Sequence, residues 1–366
     1  MRRFTSNQGS ILIVTLWIVA LLALLAVGLT TRSRLVIRQT EYTNQEVLGD
    51  SVMQALIEHC VAQIQDDENT DITAHNEAWG QPLHLTGQQL QAEFGVTGVG
   101  LGDLDATIVA IDEYGKVNIN APYAQSPEFL VYCFEELRPN VSAEQLAFAI
   151  LDWGDVDNDG AAENDFYQSK TPAYQAMNND FRYIEELLFV KGVSPLLYWG
   201  EDSNHNHVLE SEEDDGDLYL PLDNNDGILQ YGLRDIFTTY GDEGTGHTIN
   251  LNTISNPLLK ALLRPYYPRV ESNRLAELIL KHRRGADGVD GTEDDQPFSD
   301  IKDLKNIVQP SEFDVIESLP IEVIFESNVF RFHIVLQFNQ IPIIKKGTVV
   351  IIQKDGNIEV VEWHEE

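Results

Sequence analysis

The chain has 366 residues, of which 43% are hydrophobic, and carries 59 acidic against 24 basic side chains, a formal charge of −35. That length suits two domains or one domain with a large insertion. The charge excludes a nucleic-acid surface, which needs a clustered basic face, and disfavours anionic lipid headgroups; two cysteines define no disulfide framework.

From Ile11 to Leu29 there is no charged side chain, a run long enough to cross a bilayer as a helix. A secretory signal has a shorter apolar region, directly after its basic segment, with a small-residue cleavage site beyond it. Here Arg2 and Arg3 sit in a short polar leader, residues 1–9, and the small-residue junction Gly9-Ser10 precedes the apolar run. Cleavage there leaves the helix attached. Residues 30–65 contain no proline and one glycine, Gly49, and Met53, Leu56, Ile57, Cys60, Val61 and Ile64 recur at three- and four-residue spacing. This predicts one helix over 10–65, with 10–29 in lipid and the second half packed on a soluble domain by its stripe. Cys60, on that stripe, reads as a buried free thiol rather than a partner of Cys133. Arginines flank the apolar run on both sides, so the positive-inside rule leaves the orientation open.

Residues 66–89 are polar and turn-rich and read as a loop. The runs 106–112 and 116–120, either side of Tyr114-Gly115, predict a hairpin against the long helix. After Ala121-Pro122 the composition changes to short helices joined by acidic loops: one headed by Ser142, then 182–190, 257–263, 274–283 and 298–308. From Leu319 strands return, at 322–325, 330–338, 347–353 and, past the turn Asp355-Gly356, 357–363. Helix, strands, helical block, strands predicts one α+β domain interrupted by a helical insertion. The head then comprises 66–120 and 318–366, and the insertion 121–317.

Residues 152–243 hold 22 acidic and 4 basic side chains, and two segments there have ligand spacing for a hard cation that takes six to eight oxygens. Asp202, Asn204, Asn206, the Val208 carbonyl, Glu210 and Glu213 fall at positions 1, 3, 5, 7, 9 and 12 of an EF-hand-like loop, with His207 where glycine is usual. Asp155, Asp157 and Asp159, followed by Gly160 and by Glu163 at position 9, form a second set without a bidentate closure. Both point to calcium; solvated acidic turns are the alternative. Asp287, Asp290, Asp294 and Asp295 make a weaker third set. No HExxH, nucleophile elbow or Gly-rich phosphate loop is present, and no catalytic residue is assigned.

A short basic leader ending in Gly9, followed by an apolar helix that runs into a globular head, resembles the type IV prepilins and pseudopilins. The resemblance narrows to the minor pseudopilin K family of type II secretion systems on Ile111-Asp112-Glu113-Tyr114-Gly115-Lys116-Val117-Asn118-Ile119-Asn120, Leu151-Asp152-Trp153, Ala162-Glu163-Asn164-Asp165-Phe166-Tyr167, Glu185-Glu186-Leu187-Leu188 with Val190 and Gly192, Thr239-Tyr240-Gly241, and Ile249-Asn250-Leu251-Asn252-Thr253. Gln8, Ser10 and Val14 stand where prepilins usually have a basic residue, Phe or Met, and Glu.

The resemblance implies a pilin-like fold, a long N-terminal helix on an antiparallel sheet, with a large inserted helical domain. It implies cleavage after Gly9 by a prepilin peptidase, methylation of Ser10, insertion in the inner membrane through residues 11–29, and a periplasmic head. It further implies a non-enzymatic role at the tip of the pseudopilus, beside the I- and J-type minor pseudopilins, in protein secretion across the outer membrane. A minor pilin of a type IV pilus is the nearest alternative. A membrane-anchored calcium-dependent hydrolase or carbohydrate binder is the alternative of a different class.

Overall fold

The computed structural model describes residues 8–65, 71–137, 141–160, 162–202, 229–241, 248–339, 343–354 and 356–365, with residues 209, 213, 216 and 227. Helix α1 (Gln8–Gln65) runs unbroken for 58 residues, about 87 Å at 1.5 Å per residue. Residues 12–44 are exposed on every side of it. Burial begins at Gln45 and recurs at Leu48, Val52, Met53, Leu56, Cys60 and Ile64, the spacing of one helix face. The stripe therefore starts earlier than its sequence pattern suggests, and Ile57 and Val61 only border it.

Beyond α1 the chain forms β1 (Leu83–Thr86) and α2 (Gly87–Phe94), in a region that reads partly as loop. Thr86 and Gln89 cap each other across the first turn of α2. After β2 (Leu104–Asp112) comes the insertion: β3 (Val117–Asn118), α3 (Pro127–Leu137), α4 (Ala143–Gly154), α5 (Asn164–Gln168), α6 (Pro195–Trp199), β4 (Phe237–Thr238), β5 (Thr248–Asn250), α7 (Asn256–Leu263), α8 (Arg269–Arg283), α9 (Pro310–Glu317) and β6 (Glu322–Ile324). Strands β7 (Val329–Phe338), β8 (Ile343–Lys354) and β9 (Asn357–Glu365) complete an antiparallel sheet of order β1-β2-β7-β8-β9. Because β7 pairs directly with β2, everything between them is inserted between neighbouring strands.

On β7, Phe330, Phe332, Ile334, Leu336 and Phe338 join the stripe of α1 in one core, as period-two alternation requires. Gly347 of β8 sits under that helix. A Cβ there would meet the Trp363 ring at 2.6 Å and Met53 Sδ at 2.9 Å, so only glycine lets both fill the space. The insertion has a separate core, running from Val117 to Ile321 and rich in leucine from α4, α7 and α8.

The α+β architecture with a helical insertion stands as expected, but several local expectations do not. No hairpin forms across Tyr114-Gly115. Asp112 accepts from Tyr114 N at 2.8 Å and closes a 3-10 turn, and Val117 then pairs in parallel with Phe237 of the insertion. The alternation of Val117 and Ile119 serves the insertion's core instead of the sheet. Likewise β6 pairs in parallel with β5, outside the main sheet. The segments 182–190 and 298–308 are 3-10 turns at Ile184–Phe189 and Ile301–Asn306, and α8 begins at Arg269.

Sheet and insertion meet at a buried polar junction. Asp112 Oδ2 accepts from Ser327 Oγ (2.7 Å), Thr253 Oγ1 (2.5 Å) and Asn250 Nδ2 (3.0 Å). Beside it Glu113 Oε1 accepts from Lys116 Nζ and Arg331 Nε, each at 2.9 Å, and Oε2 from Thr238 Oγ1. Burial pushes the Glu113 carboxyl up, but Lys116 and Arg331 outweigh it and hold the group at about 2.

Candidate metal centre

Helix α4 ends at Gly154, and the chain returns through a carboxylate-rich loop to Glu163, the N-cap position of α5. Asp152, in the last turn of α4, is buried and accepts from Ala162 N through Oδ2 at 2.9 Å. That bond draws the loop onto the helix end so tightly that a Cβ on Gly160 would fall 2.3 Å from the Asp152 carboxylate. The segment beyond α5 braces it: Asn178 donates through N to Trp153 O (3.0 Å) and through Nδ2 to Asp157 O (2.9 Å). Asn164 Oδ1 accepts from Ala176 N at 3.0 Å. The Trp153 and Tyr167 rings meet edge-on at 5.1 Å, close to the loop in sequence.

This folding gathers Asp152, Asp155 and Glu163, each offering a carboxylate oxygen within 4.8 Å of the others. Among the described residues, both oxygens of buried Glu163 and Oδ1 of Asp155 have no hydrogen-bond donor. Burial first, then repulsion from Asp157 and Asp152, raises the Asp155 carboxyl above its ordinary value. Burial and then Asp155, Asp152 and Asp157 do the same to Glu163. Orphaned, mutually repelling oxygens of this kind fit a hard divalent cation, and their donor set suits calcium better than a metal that wants nitrogen or sulfur.

Of the residues singled out by spacing, the structure brings Asp155 and Glu163 together. Asp157 and Asp159 are exposed, outside the group of three, with Asp157 Oδ1 accepting from Asp159 N at 2.8 Å. Asp152, which spacing did not mark as a ligand, takes their place; it precedes the loop and belongs to a helix, where loop templates do not look. In the second segment Asp202 and Glu213, the two ends of the EF-hand-like pattern, are both buried, while Asn204, Asn206, Val208 and Glu210 lie outside the described residues. The third set is occupied internally. Asp290 pairs with Arg283 and Arg284 at 2.8 Å, Asp294 accepts from Ala286 N (2.5 Å) and Thr292 Oγ1 (2.8 Å), Asp295 from Gly291 N (2.7 Å), and Asp287 from Val289 N (2.8 Å).

Gly9 and Ser10 fall in the first turn of α1. Residues from Leu12 onward make up one helix long and apolar enough to cross a membrane. Cys60 and Cys133 are free and buried, in the sheet core and the insertion core respectively, and burial pushes both thiols up.

Residues 115–199, which span β3 to α6 and include the three carboxylates, match the family model described as type II secretion system (T2SS), protein K. A protein of Escherichia coli (strain K12) that carries the name of a type II secretion system protein K is 28% identical over 209 residues, 52% of this chain and 60% of that protein. The chain thus matches less than two thirds of that relative's length. A crystal structure of the GspK-GspI-GspJ complex from the enterotoxigenic Escherichia coli type 2 secretion system aligns with 92% of this chain and 99% of the matched chain, at 14% identity and a TM-score of 0.45. The resemblance read from the sequence is borne out by the family match, which covers residues 115–199.

Proposed function

We propose that this protein is a minor pseudopilin of a type II secretion system, a structural subunit that takes part in pseudopilus assembly and in protein secretion across the outer membrane. Residues 11–29 insert in the inner membrane, the head stands in the periplasm, and the leader is removed after Gly9. The observation that carries this reading is the position of the family match: residues 115–199 fall wholly inside the insertion that splits β2 from β7 of the sheet carried by α1. The bare residues of α1, apolar from Leu12 to Leu29, support it from the other end, since an uncovered apolar helix of that length needs lipid or neighbouring helices. Partnership with I- and J-type minor pseudopilins follows from the family resemblance. Size-exclusion chromatography of the head with those two heads tests it: a one-to-one-to-one complex at micromolar concentration is expected, and three separate peaks would contradict it.

Calcium belongs to the same reading. The two unpartnered oxygens of Glu163, facing Asp152 and Asp155, favour a structural cation that fastens the end of α4 to the start of α5. Asp202, Asn204, Asn206, the Val208 carbonyl, Glu210 and Glu213 form the second proposed site, while Asp157 and Asp159 stay outside the group of three that holds the first. Isothermal titration with calcium chloride tests this, with Glu163→Gln expected to remove the first site's share of the heat.

A further inference from the structure

One side of α4 carries exposed Phe148 beside buried Ala149 and Asp152, and these floor a cleft of about 460 Å³. One wall is the carboxylate loop at Asp159 and Gly160; the other is the turn at Lys191. Ala149 is buried at its base, whereas the Phe148 ring is 52% exposed. The volume lies in the range that holds an apolar group and a few polar contacts.

We propose that this cleft docks a segment of a partner polypeptide in which a large apolar side chain stands next to a lysine or arginine. Charge decides the second half of that description. Residues 152–170 carry six carboxylates against one basic side chain, Lys170, which lies over the Phe166 ring at 4.0 Å from its centroid, and a divalent cation held by Asp152, Asp155 and Glu163 leaves Asp157 and Asp159 uncovered. Asp159 is both exposed and part of the wall, so a basic group there meets a carboxylate while its apolar neighbour covers Phe148. On the opposite wall the Lys191 ammonium lies over the Phe166 ring, 4.6 Å from its centroid, which directs the incoming cation to the loop side. An acidic segment would meet repulsion along the whole loop. The inference leans on the assembly role only for which partner brings the segment; binding itself is independent of that role and of the cation.

The test is fluorescence anisotropy with the full-length protein in detergent micelles, empty micelles serving as the blank. The probes are three labelled pentapeptides, Gly-Lys-Trp-Lys-Gly, Gly-Lys-Ser-Lys-Gly and Gly-Glu-Trp-Glu-Gly. The first is expected to bind about tenfold more tightly than either of the others. Phe148→Ser and Asp159→Asn, both at exposed positions, should each weaken it about fivefold while the circular dichroism spectrum stays unchanged. Equal affinities for the two lysine peptides, or no effect of either substitution, would assign binding to the general acidic surface and overturn the proposal. Absence of binding up to millimolar peptide would overturn it too.

Discussion

Glu113 and Arg331 are 218 residues apart in the chain and hydrogen-bonded at 2.9 Å, on the strands' side of the point where the insertion leaves the sheet and returns to it. Both side chains are nearly free of solvent contact. Removing one partner of such a pair strands the other charge, which typically costs about 3–5 kcal/mol. Glu113→Gln and Arg331→Met are each expected to lower stability by that order in chemical denaturation, and the double variant should be less damaged than the sum of the two. Additive losses would mean that the pair does not couple.

The same carboxylate sets a pH dependence. Glu113 is held at about 2 in the folded protein against an ordinary 4.5, so its contribution is fully present above 4.5 and is lost as pH falls from 4.5 towards 2. Asp112 acts in the opposite sense: burial raises its carboxyl, so just above its ordinary value the folded state holds more protons and stability rises as pH falls. Urea unfolding at pH 5 and pH 3 separates the two. Glu113→Gln should flatten the acid loss, and an unchanged loss in that variant would reassign it to other carboxylates.

Calcium should stabilise the head, because binding to the folded state alone adds about 2.7 kcal/mol when the free ion is a hundredfold above Kd. Thermal unfolding is expected to shift upward with calcium, little with magnesium, and back with chelator. Glu163→Gln should remove the first site's share of the shift yet stabilise the calcium-free protein, since it removes a buried charge that Asp155 and Asp152 repel. Because Asp155 and Glu163 must shed protons to bind, apparent affinity should rise with pH through the weakly acidic range. A melting temperature indifferent to chelation would leave the loop as solvated acid.

Much of this was legible in the sequence where the signal is local. The stripe of α1, the apolar alternation of β7 and the turn at Gly356 before β9 each declare themselves within a few residues. What failed was non-local. Val117 alternates like a hairpin strand, but its partner Phe237 comes from the insertion, and no spacing near residue 117 could reveal it. Helix α3 is the exception, a local signal passed over: Ser126, Pro127 and Glu128 mark its start, and Phe129, Leu130, Cys133, Phe134 and Leu137, all buried, follow at helical spacing. Of the three carboxylates that the structure gathers, spacing marks Asp155 and Glu163 but not Asp152, whose place depends on Gly160 letting the loop fold back onto the helix end.

Residues 12–44 bury nothing within the chain, so a head lacking residues 1–34 should be soluble and unfold like the full-length protein in detergent, with both cores intact. Loss of cooperative unfolding on truncation would show that the exposed half of α1 supports the head after all.

Val14, exposed on α1, replaces the glutamate that in related prepilins meets a neighbour's N-terminal amine within the bundle. A buried charge left without such a partner costs several kcal/mol, by rough estimate, so on the proposed pseudopilin reading this subunit is expected to be first in the fibre. Cross-linking should find neighbours on its lower side only. Copies repeated along the shaft would contradict tip placement.

The most direct test of the pseudopilin reading is the N-terminal mass of the protein extracted from the membrane of its own cells. A chain that begins at methylated Ser10, with the apolar helix still attached, is the predicted result. An intact Met1, or a chain that begins beyond Leu29, would contradict it.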